Sequence, residues 1–246
     1  MKNSQKIGLL GALMFIVSCS TKKDAFLNRN YNALTTQYNI LYNGGVAFNE
    51  GLQEINASYE DDFFELLPIE PLTFKNKKFR LPKLSSSSSN KPGKGFQESP
   101  EQEESLTPFD IAEQKAVKAI QKHSMNIYGK ERNKKIDDAY LLLGKSRYYT
   151  ERFIPAIDAY NYIIANYPNA SLLNETKIWR AKAHIRLENE ELAIETLEIL
   201  LRKPDLSDLI REEANTALAM AYSKADTIEL VRKYLWQATE TSKNKV

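Results

Sequence analysis

Small and aromatic residues recur at fixed positions in the second half of this 246-residue chain, and their spacing constrains the fold more than any other feature. Gly144 and Ala156 lie twelve positions apart, with Tyr140 four positions before the glycine and Tyr160 four positions after the alanine. Residues with little or no side chain allow two helices to cross closely, and tyrosines have the size to fill the space beside such a crossing. The spacing therefore predicts a closely packed pair of helices over residues 137–170.

This pair of helices matches the tetratricopeptide repeat, a helix–turn–helix unit of about 34 residues that stacks into solenoids. The consensus residue type is present at seven positions of this unit: Tyr140, Leu143, Gly144, Phe153, Ala156, Tyr160 and Pro168. Ala181 and Ala193 repeat the two small positions at an offset of 37 residues, which predicts a second unit over 174–207. A degenerate third unit follows over 211–241, and an apolar stripe over 109–123 predicts one helix before the array. We therefore expect seven helices, stacked pairwise in a right-handed solenoid, over residues 108–246.

Two shorter helical patterns precede this region. The first is an apolar stripe of five residues with steps of three and four: Leu27, Tyr31, Leu34, Tyr38 and Leu41. The second stripe has the same stepping: Phe48, Leu52, Ile55 and Tyr59. Because Gly44 and Gly45 separate the two stripes, we expect a break in the helix there and an αα-hairpin over residues 27–71.

Residues 72–107 have a different composition from the segments on either side. Five basic residues between Lys75 and Lys83 precede the serine run Ser85–Ser89, and an acidic run, Glu98–Glu104, follows. With so few apolar residues, ordering this segment would cost more free energy than burial returns. The predicted fold class is therefore all-α: an αα-hairpin, a disordered low-complexity linker and a short tetratricopeptide-like solenoid.

The amino terminus has the features of a bacterial lipoprotein signal. Lys2 and Lys6 precede the uncharged apolar run Ile7–Val17, which is short for a membrane span and typical of an export signal. The run ends in Ile16-Val17-Ser18-Cys19, a lipobox whose cysteine becomes acylated. We expect a signal peptide over 1–18, lipidation at Cys19 and a short tether over 19–26. The alternatives are an ordinary secretory signal with a chance cysteine, or an uncleaved anchor.

The residue inventory gives no set of groups suited to catalysis. The chain has two histidines and one cysteine, and we interpret His123 and His184 as packing residues. The spacing of Trp179 and Trp236 within helical patterns likewise favours core packing. A net charge of +2 gives no argument for nucleic acid as a partner. We expect no catalytic residue, no metal site, no cofactor and no small-molecule substrate.

A protein-binding surface is the function that remains, since repeat solenoids bind partners on the concave face lined by the first helix of each unit. Eight residues occupy the corresponding positions in the first two units: Asp138, Leu141, Lys145, Tyr148, Glu175, Ile178, Lys182 and Ile185. Their mixture of charged, apolar and aromatic groups suits a protein or peptide ligand. The alternative is that neighbouring helices or solvent cover these faces.

Several stretches also resemble a known family of tetratricopeptide lipoproteins, the SprE/PorW family of the type IX secretion and gliding-motility machinery of Bacteroidota. The resemblance lies in five blocks: Cys19–Asp24, Asn28–Gly44, Tyr59–Pro68, Ala116–Met125 and Ile136–Lys145. It implies an outer-membrane lipoprotein that faces the periplasm and is tethered to the membrane at Cys19. It also implies protein partners among the periplasmic ring, the motor and the outer-membrane translocon. Because members of that family are considerably longer, the resemblance further implies that this chain is a fragment or a truncated product.

The expected function is thus a non-enzymatic, lipid-anchored scaffold of the type IX machinery. The absence of acidic residues over Ser20–Lys23 favours the periplasmic side of the outer membrane. A general lipoprotein of outer-membrane assembly is the alternative, since such proteins also join a lipobox to these repeats. An accessory subunit of an envelope enzyme is a third possibility from a different class.

Overall fold

The computed structural model describes residues 20–64, 66–72, 106–225 and 227–243. The predicted signal peptide and Cys19 lie outside these residues. So do positions 73–105, which form nearly all of the predicted linker.

The described chain is mostly helical, as predicted. Its helices are α1 (Phe26–Thr35), α2 (Tyr42–Ser58), α3 (Pro108–His123), α4 (Ile136–Tyr149), α5 (Phe153–Asn166), α6 (Leu173–Arg186), α7 (Glu190–Leu201), α8 (Asp208–Lys224) and α9 (Ile228–Lys243). Strands are confined to the short pair β1 (Asn126–Ile127) and β2 (Lys130–Glu131) within the described residues. Tyr128 and Gly129 turn this pair with positive φ angles of 54° and 74°, as in tight two-residue hairpins. The spacing of apolar residues gave no indication of this hairpin.

The predicted αα-hairpin over 27–71 is wrong, because α1 and α2 form one uninterrupted helix. A π-helical segment, Thr36–Leu41, joins them, and the Tyr42 N–H donates to the Gln37 carbonyl five residues back. Gly44 and Gly45 lie inside α2 and do not end it. A glycine inside a helix costs only about 1 kcal/mol, which packing can offset. The antiparallel partner of this long helix is α3, since Asn32 contacts His123 near one end and Gly51 contacts Phe109 near the other.

Four of the five residues of the first apolar stripe face outward, contrary to what such a pattern usually indicates. Leu27, Tyr31, Leu34 and Tyr38 are exposed, with Leu34 at 55%. The buried face carries Asn28, Asn32, Thr36 and Ile40, all below 5% exposure.

Glycines on the buried face of α2 bring it close to its neighbours. A Cβ on Gly51 would lie 2.7 Å from the Phe109 ring, and one on Gly44 would lie 2.8 Å from Leu142 Cδ2. The start of α3, which supplies Phe109, is fixed by a capping box: Thr107 Oγ1 accepts from the Asp110 N–H, and Asp110 accepts from the Thr107 N–H. Helix α3 therefore has a defined start, and the glycines of α2 allow the two helices to pack closely.

From α4 onward the structure follows the predicted repeats, as three successive helix pairs: α4 with α5, α6 with α7, and α8 with α9. Only the residues 150–152, 187–189 and 225–227 join the helices within each pair. Gly144 packs against Tyr160 at the first crossing, and the corresponding Ala181, Ala193 and Leu197 are buried in the second. With α3, the array comprises the seven helices expected among the described residues.

The core is divided into two main clusters of buried side chains. One extends from α2 and α3 through α4 and α5, and it includes Phe48, Phe109, Tyr148 and Tyr160. The other joins α6, α7 and α8 around Ile178, Leu197 and Leu218. Continuous burial from one pair to the next is what holds a repeat array together.

Candidate partner-binding groove

The eight residues predicted to contact a partner lie on two first helices of successive repeats, Asp138 to Tyr148 on α4 and Glu175 to Ile185 on α6. The structure brings four of them together. Lys145 forms an ion pair with Glu175 across the two helices, and Tyr148 lies near Lys182, whose Nζ is 5.4 Å from the tyrosine ring centre. We refer to the cluster of side chains between α4 and α6 formed by Lys145, Tyr148, Glu175, Trp179, Lys182 and Arg186 as the groove; Tyr148 is completely buried within it.

The other four predicted residues lie elsewhere. Leu141, Ile178 and Ile185 are core residues with exposures of 8%, 1% and 1%. Asp138 is partly exposed at the start of α4 and pairs with Lys135 at 3.2 Å. Asp138 and Leu141 border a shallow depression beside Leu41 and Phe48, which Lys145 also lines. Ile178 and Ile185 are too deeply buried to contact a partner seated in the groove.

Trp179 forms the apolar wall of the groove. Lys182 Nζ lies 3.9 Å from its ring centre, and Lys145 Nζ lies 4.9 Å from it. Tyr148 packs edge-on against the same ring at 5.4 Å between centroids. Ammonium groups within about 6 Å of an indole face gain electrostatic attraction, so Trp179 helps to hold both lysines in place.

A glutamate from a distant part of the chain occupies the groove. We call residues 66–72 the strap, because this non-helical segment lies across α4 and α6. The Glu70 carboxylate accepts hydrogen bonds from Tyr148 Oη at 2.5 Å, from Tyr149 Oη at 3.3 Å and from Arg186 Nη2 at 3.2 Å. It also forms an ion pair with Lys182. Arg186 Nη2 donates to the Glu70 main-chain carbonyl as well, at 3.0 Å.

Electrostatics favours a charged carboxylate at this position. Burial alone would raise the pKa of the Glu70 carboxyl, but Lys182, Tyr148 and Arg186 outweigh it and lower that pKa below its ordinary value of 4.5. Burial, and then the nearby Glu70 charge, raise the pKa of Tyr148 and of Tyr149. Both phenols therefore remain protonated and serve as donors to the carboxylate.

Two apolar side chains of the strap flank the bound glutamate. Leu72 is 8% exposed and belongs to the core cluster that contains Phe48 and Tyr149. Ile69 packs on the other main cluster, which contains Ile178 and Leu218. Leu66 is largely exposed, at 78%. The strap thus holds the groove through Ile69, Glu70 and Leu72.

Sequence reasoning missed Glu70, Tyr149 and Arg186 as members of this site. Arg186 lies one helical turn after Lys182, and Tyr149 adjoins Tyr148, so a wider reading of the same helices could have included both. No local pattern could have indicated Glu70, because it lies 112 residues before Lys182. Core packing was preferred for Trp179 over a role as a partner anchor, and its partly buried ring contacts both the core and the lysines of the groove.

Side chains set aside as packing residues behave in different ways. His123 Nδ1 lies 2.9 Å from Asn32 Oδ1, and His184 Nδ1 is buried without a hydrogen bond to any described residue. Trp236 is 65% exposed, so the prediction that it packs in the core is wrong; it borders a depression between α8 and α9.

Within the ranges that the structure describes, no group of three or more acidic, histidine or cysteine side chains could hold a metal ion. Nor is any helix of those ranges both long and apolar enough to cross a bilayer.

Comparison with known proteins returns no match to a protein family and no match among curated proteins.

Proposed function

We propose that this chain is a lipid-anchored, non-enzymatic scaffold of the type IX secretion and gliding-motility machinery, facing the periplasm from the outer membrane. The observation that carries this proposal is the repeat array itself, whose successive first helices α4 and α6 form a polar and aromatic groove. Solenoids of this kind present such surfaces to protein partners. The choice of the type IX machinery depends on the resemblance of the sequence blocks described above.

The outward face of α1 supports attachment to a membrane. Between Ala25 and Asn49, Arg29 is the one charged residue. Seven large apolar side chains on this stretch are exposed: Phe26, Leu27, Tyr31, Leu34, Tyr38, Tyr42 and Val46. Aromatic and aliphatic side chains on one helix face favour the boundary between lipid headgroups and acyl chains.

The short distance in sequence between this face and the predicted anchor supports lipid as its occupant. Phe26 follows Cys19 by seven residues, which span at most about 25 Å even when fully extended. A chain acylated at Cys19 therefore keeps α1 next to the headgroups. The exposed Lys22 and Lys23 lie between the anchor and the helix, where they complement anionic lipids.

The proposal is tested by deleting the gene in its host and measuring gliding and the secretion of cargo with the type IX carboxy-terminal signal. We expect both to be lost, while outer-membrane barrels assemble normally, and we expect the wild-type gene to restore both. Normal secretion in the deletion strain would rule out the proposal. Defective barrel assembly would instead favour a general assembly lipoprotein.

A further inference from the structure

We propose that the groove is a binding site for an acidic peptide, and that the strap occupies it as an internal competitor. The ligand is a partner segment with one glutamate flanked by bulky apolar residues, the chemistry that Ile69-Glu70-Pro71-Leu72 shows in this chain. This inference rests on the proposed function, because it assigns the partner chemistry of a protein-binding scaffold.

The groups that bind the carboxylate all belong to the solenoid. Tyr148 and Tyr149 come from α4, and Lys182 and Arg186 come from α6. Contacts within the solenoid hold them in position: Arg186 Nε donates to Tyr148 Oη at 3.0 Å, and Lys182 lies on the Trp179 ring. The site is therefore preorganised for a carboxylate, whichever chain supplies it.

The charges of Lys182 and Arg186 favour an anion in the groove. The side chains of Lys182 and Arg186 are 16% and 19% exposed, so both cations are largely removed from water. Lys145, in the same groove, is paired with Glu175. Glu213 acts on Lys182 only over a longer range. Without Glu70, two nearly buried cations would lack a directly bonded counterion, which is strongly unfavourable.

The strap is attached to the solenoid through the side chains of a few residues. Among the described residues, its backbone makes no hydrogen bond to another backbone group. Its contacts with the solenoid are made by Ile69, Glu70 and Leu72, whereas Leu66 and Leu67 are exposed. The strap also belongs to residues 59–107, a far longer connection than the three-residue turns within the other helix pairs. Displacement of the strap by a partner segment therefore breaks the side-chain contacts of Ile69, Glu70 and Leu72 and leaves the backbone hydrogen bonds of the helices in place.

The test is a titration of the purified chain with a labelled heptapeptide of the strap sequence, Leu-Leu-Pro-Ile-Glu-Pro-Leu. Binding is compared between the wild type and Glu70→Ala, in which the internal competitor loses its carboxylate. We expect the Glu70→Ala variant to bind at least about tenfold more tightly, because its competent groove is more populated. A peptide with glutamine in place of glutamate should bind neither protein.

Matched variants keep the result interpretable. Adding Lys182→Met to Glu70→Ala should abolish binding, whereas adding Lys203→Met, at an exposed position on another surface, should not. If Glu70→Ala lacks a native circular dichroism spectrum, the titration is made with Glu70→Gln, which keeps the size of the side chain. Equal binding by wild type and variant, or binding that does not depend on the peptide carboxylate, would overturn the inference. Should the deletion strain still lose secretion while the groove binds no peptide, only this inference fails and the proposed function stands.

Discussion

At Gly144, a hydrogen atom in place of a methyl group sets how closely α4 and α5 approach. A Cβ at this position would lie 2.3 Å from Tyr160 Cε1, well inside van der Waals contact. Tyr160 is completely buried and cannot swing away, so the backbone would have to move. At this position the size of one side chain determines the packing of a whole repeat.

Gly144→Ala should lower the free energy of unfolding by roughly 1–3 kcal/mol, as overpacking of a buried contact does. The matched control is Gly45→Ala, since a Cβ there meets nothing within 4 Å. That change should raise the free energy by about 0.5–1 kcal/mol, because alanine favours the helix more than glycine. Urea denaturation followed by circular dichroism measures both. A Gly144→Ala protein as stable as the wild type would show that α4 and α5 are not in such close contact.

The long helix formed by α1, the π segment and α2 shows why an apolar stripe does not always mark the buried face. Two hydrogen bonds to other elements satisfy its polar face: Asn32 Oδ1 with His123 Nδ1 at 2.9 Å, and Thr36 Oγ1 with Asn133 Nδ2 at 3.0 Å. Buried polar groups with such partners carry little penalty.

The π segment keeps this buried face aligned along the helix. The buried positions from Asn28 to Gly44 recur every four residues. In an α-helix each such step rotates the face by about 40° beyond a full turn. The wider π turn at Thr36–Leu41 takes up part of that excess, so the same side of the helix continues to face α3 and α4.

Asn32→Ala should therefore destabilise the protein by about 1–3 kcal/mol, because it removes the hydrogen bond to His123 and leaves a partly buried ring nitrogen unsatisfied. Leu34→Ala, at a position 55% exposed, should change the free energy of unfolding by less than about 0.5 kcal/mol. Thermal and urea denaturation of the two variants gives the comparison. The opposite order of effects would mean that the apolar stripe is the buried face.

For the whole molecule, the exposed apolar face begins at Phe26, seven residues after the predicted anchor, and the groove is formed by α4 and α6. Under the proposed function, the first surface contacts lipid and the second binds a protein partner. The two surfaces share no residues, so their contributions can be separated by mutation.

The test protein is the chain from Ser20 to Val246, which retains every residue that the structure describes but lacks the acyl anchor. It should still bind vesicles weakly through α1. Replacing Tyr31, Leu34 and Tyr38 by serine should abolish this binding in a flotation assay with vesicles that contain anionic phospholipid. The control replaces three other exposed apolar residues by serine, Ile154, Leu192 and Ile199, and should bind as the parent does. Equal binding by both triple variants would show that α1 is not the lipid contact.

Sequence reasoning was most successful where contacts are local. The helix pairs from α4 to α9 were predicted because Gly144, Ala156 and Tyr160 meet within one repeat, and such short-range spacing is visible along the chain. Reasoning of the same kind failed for the long amino-terminal helix, where Gly44 and Gly45 were taken as a break and where most of the apolar stripe is exposed. There the decisive contacts come from α3, from Asn133 and from α4, about 60 to 100 residues away.

The candidate site was likewise predictable from the sequence only where the repeat positions are local. Lys145, Tyr148, Glu175 and Lys182 could be placed on one face from the repeat positions alone, because repeat geometry determines which side chains share that face. That the groove already holds a carboxylate was decided only by the tertiary structure. Local periodicity fixes how each helix pair forms, but the pairing of Glu70 with Lys182 and Arg186 joins residues more than 100 positions apart, and only the folded chain brings those charges together.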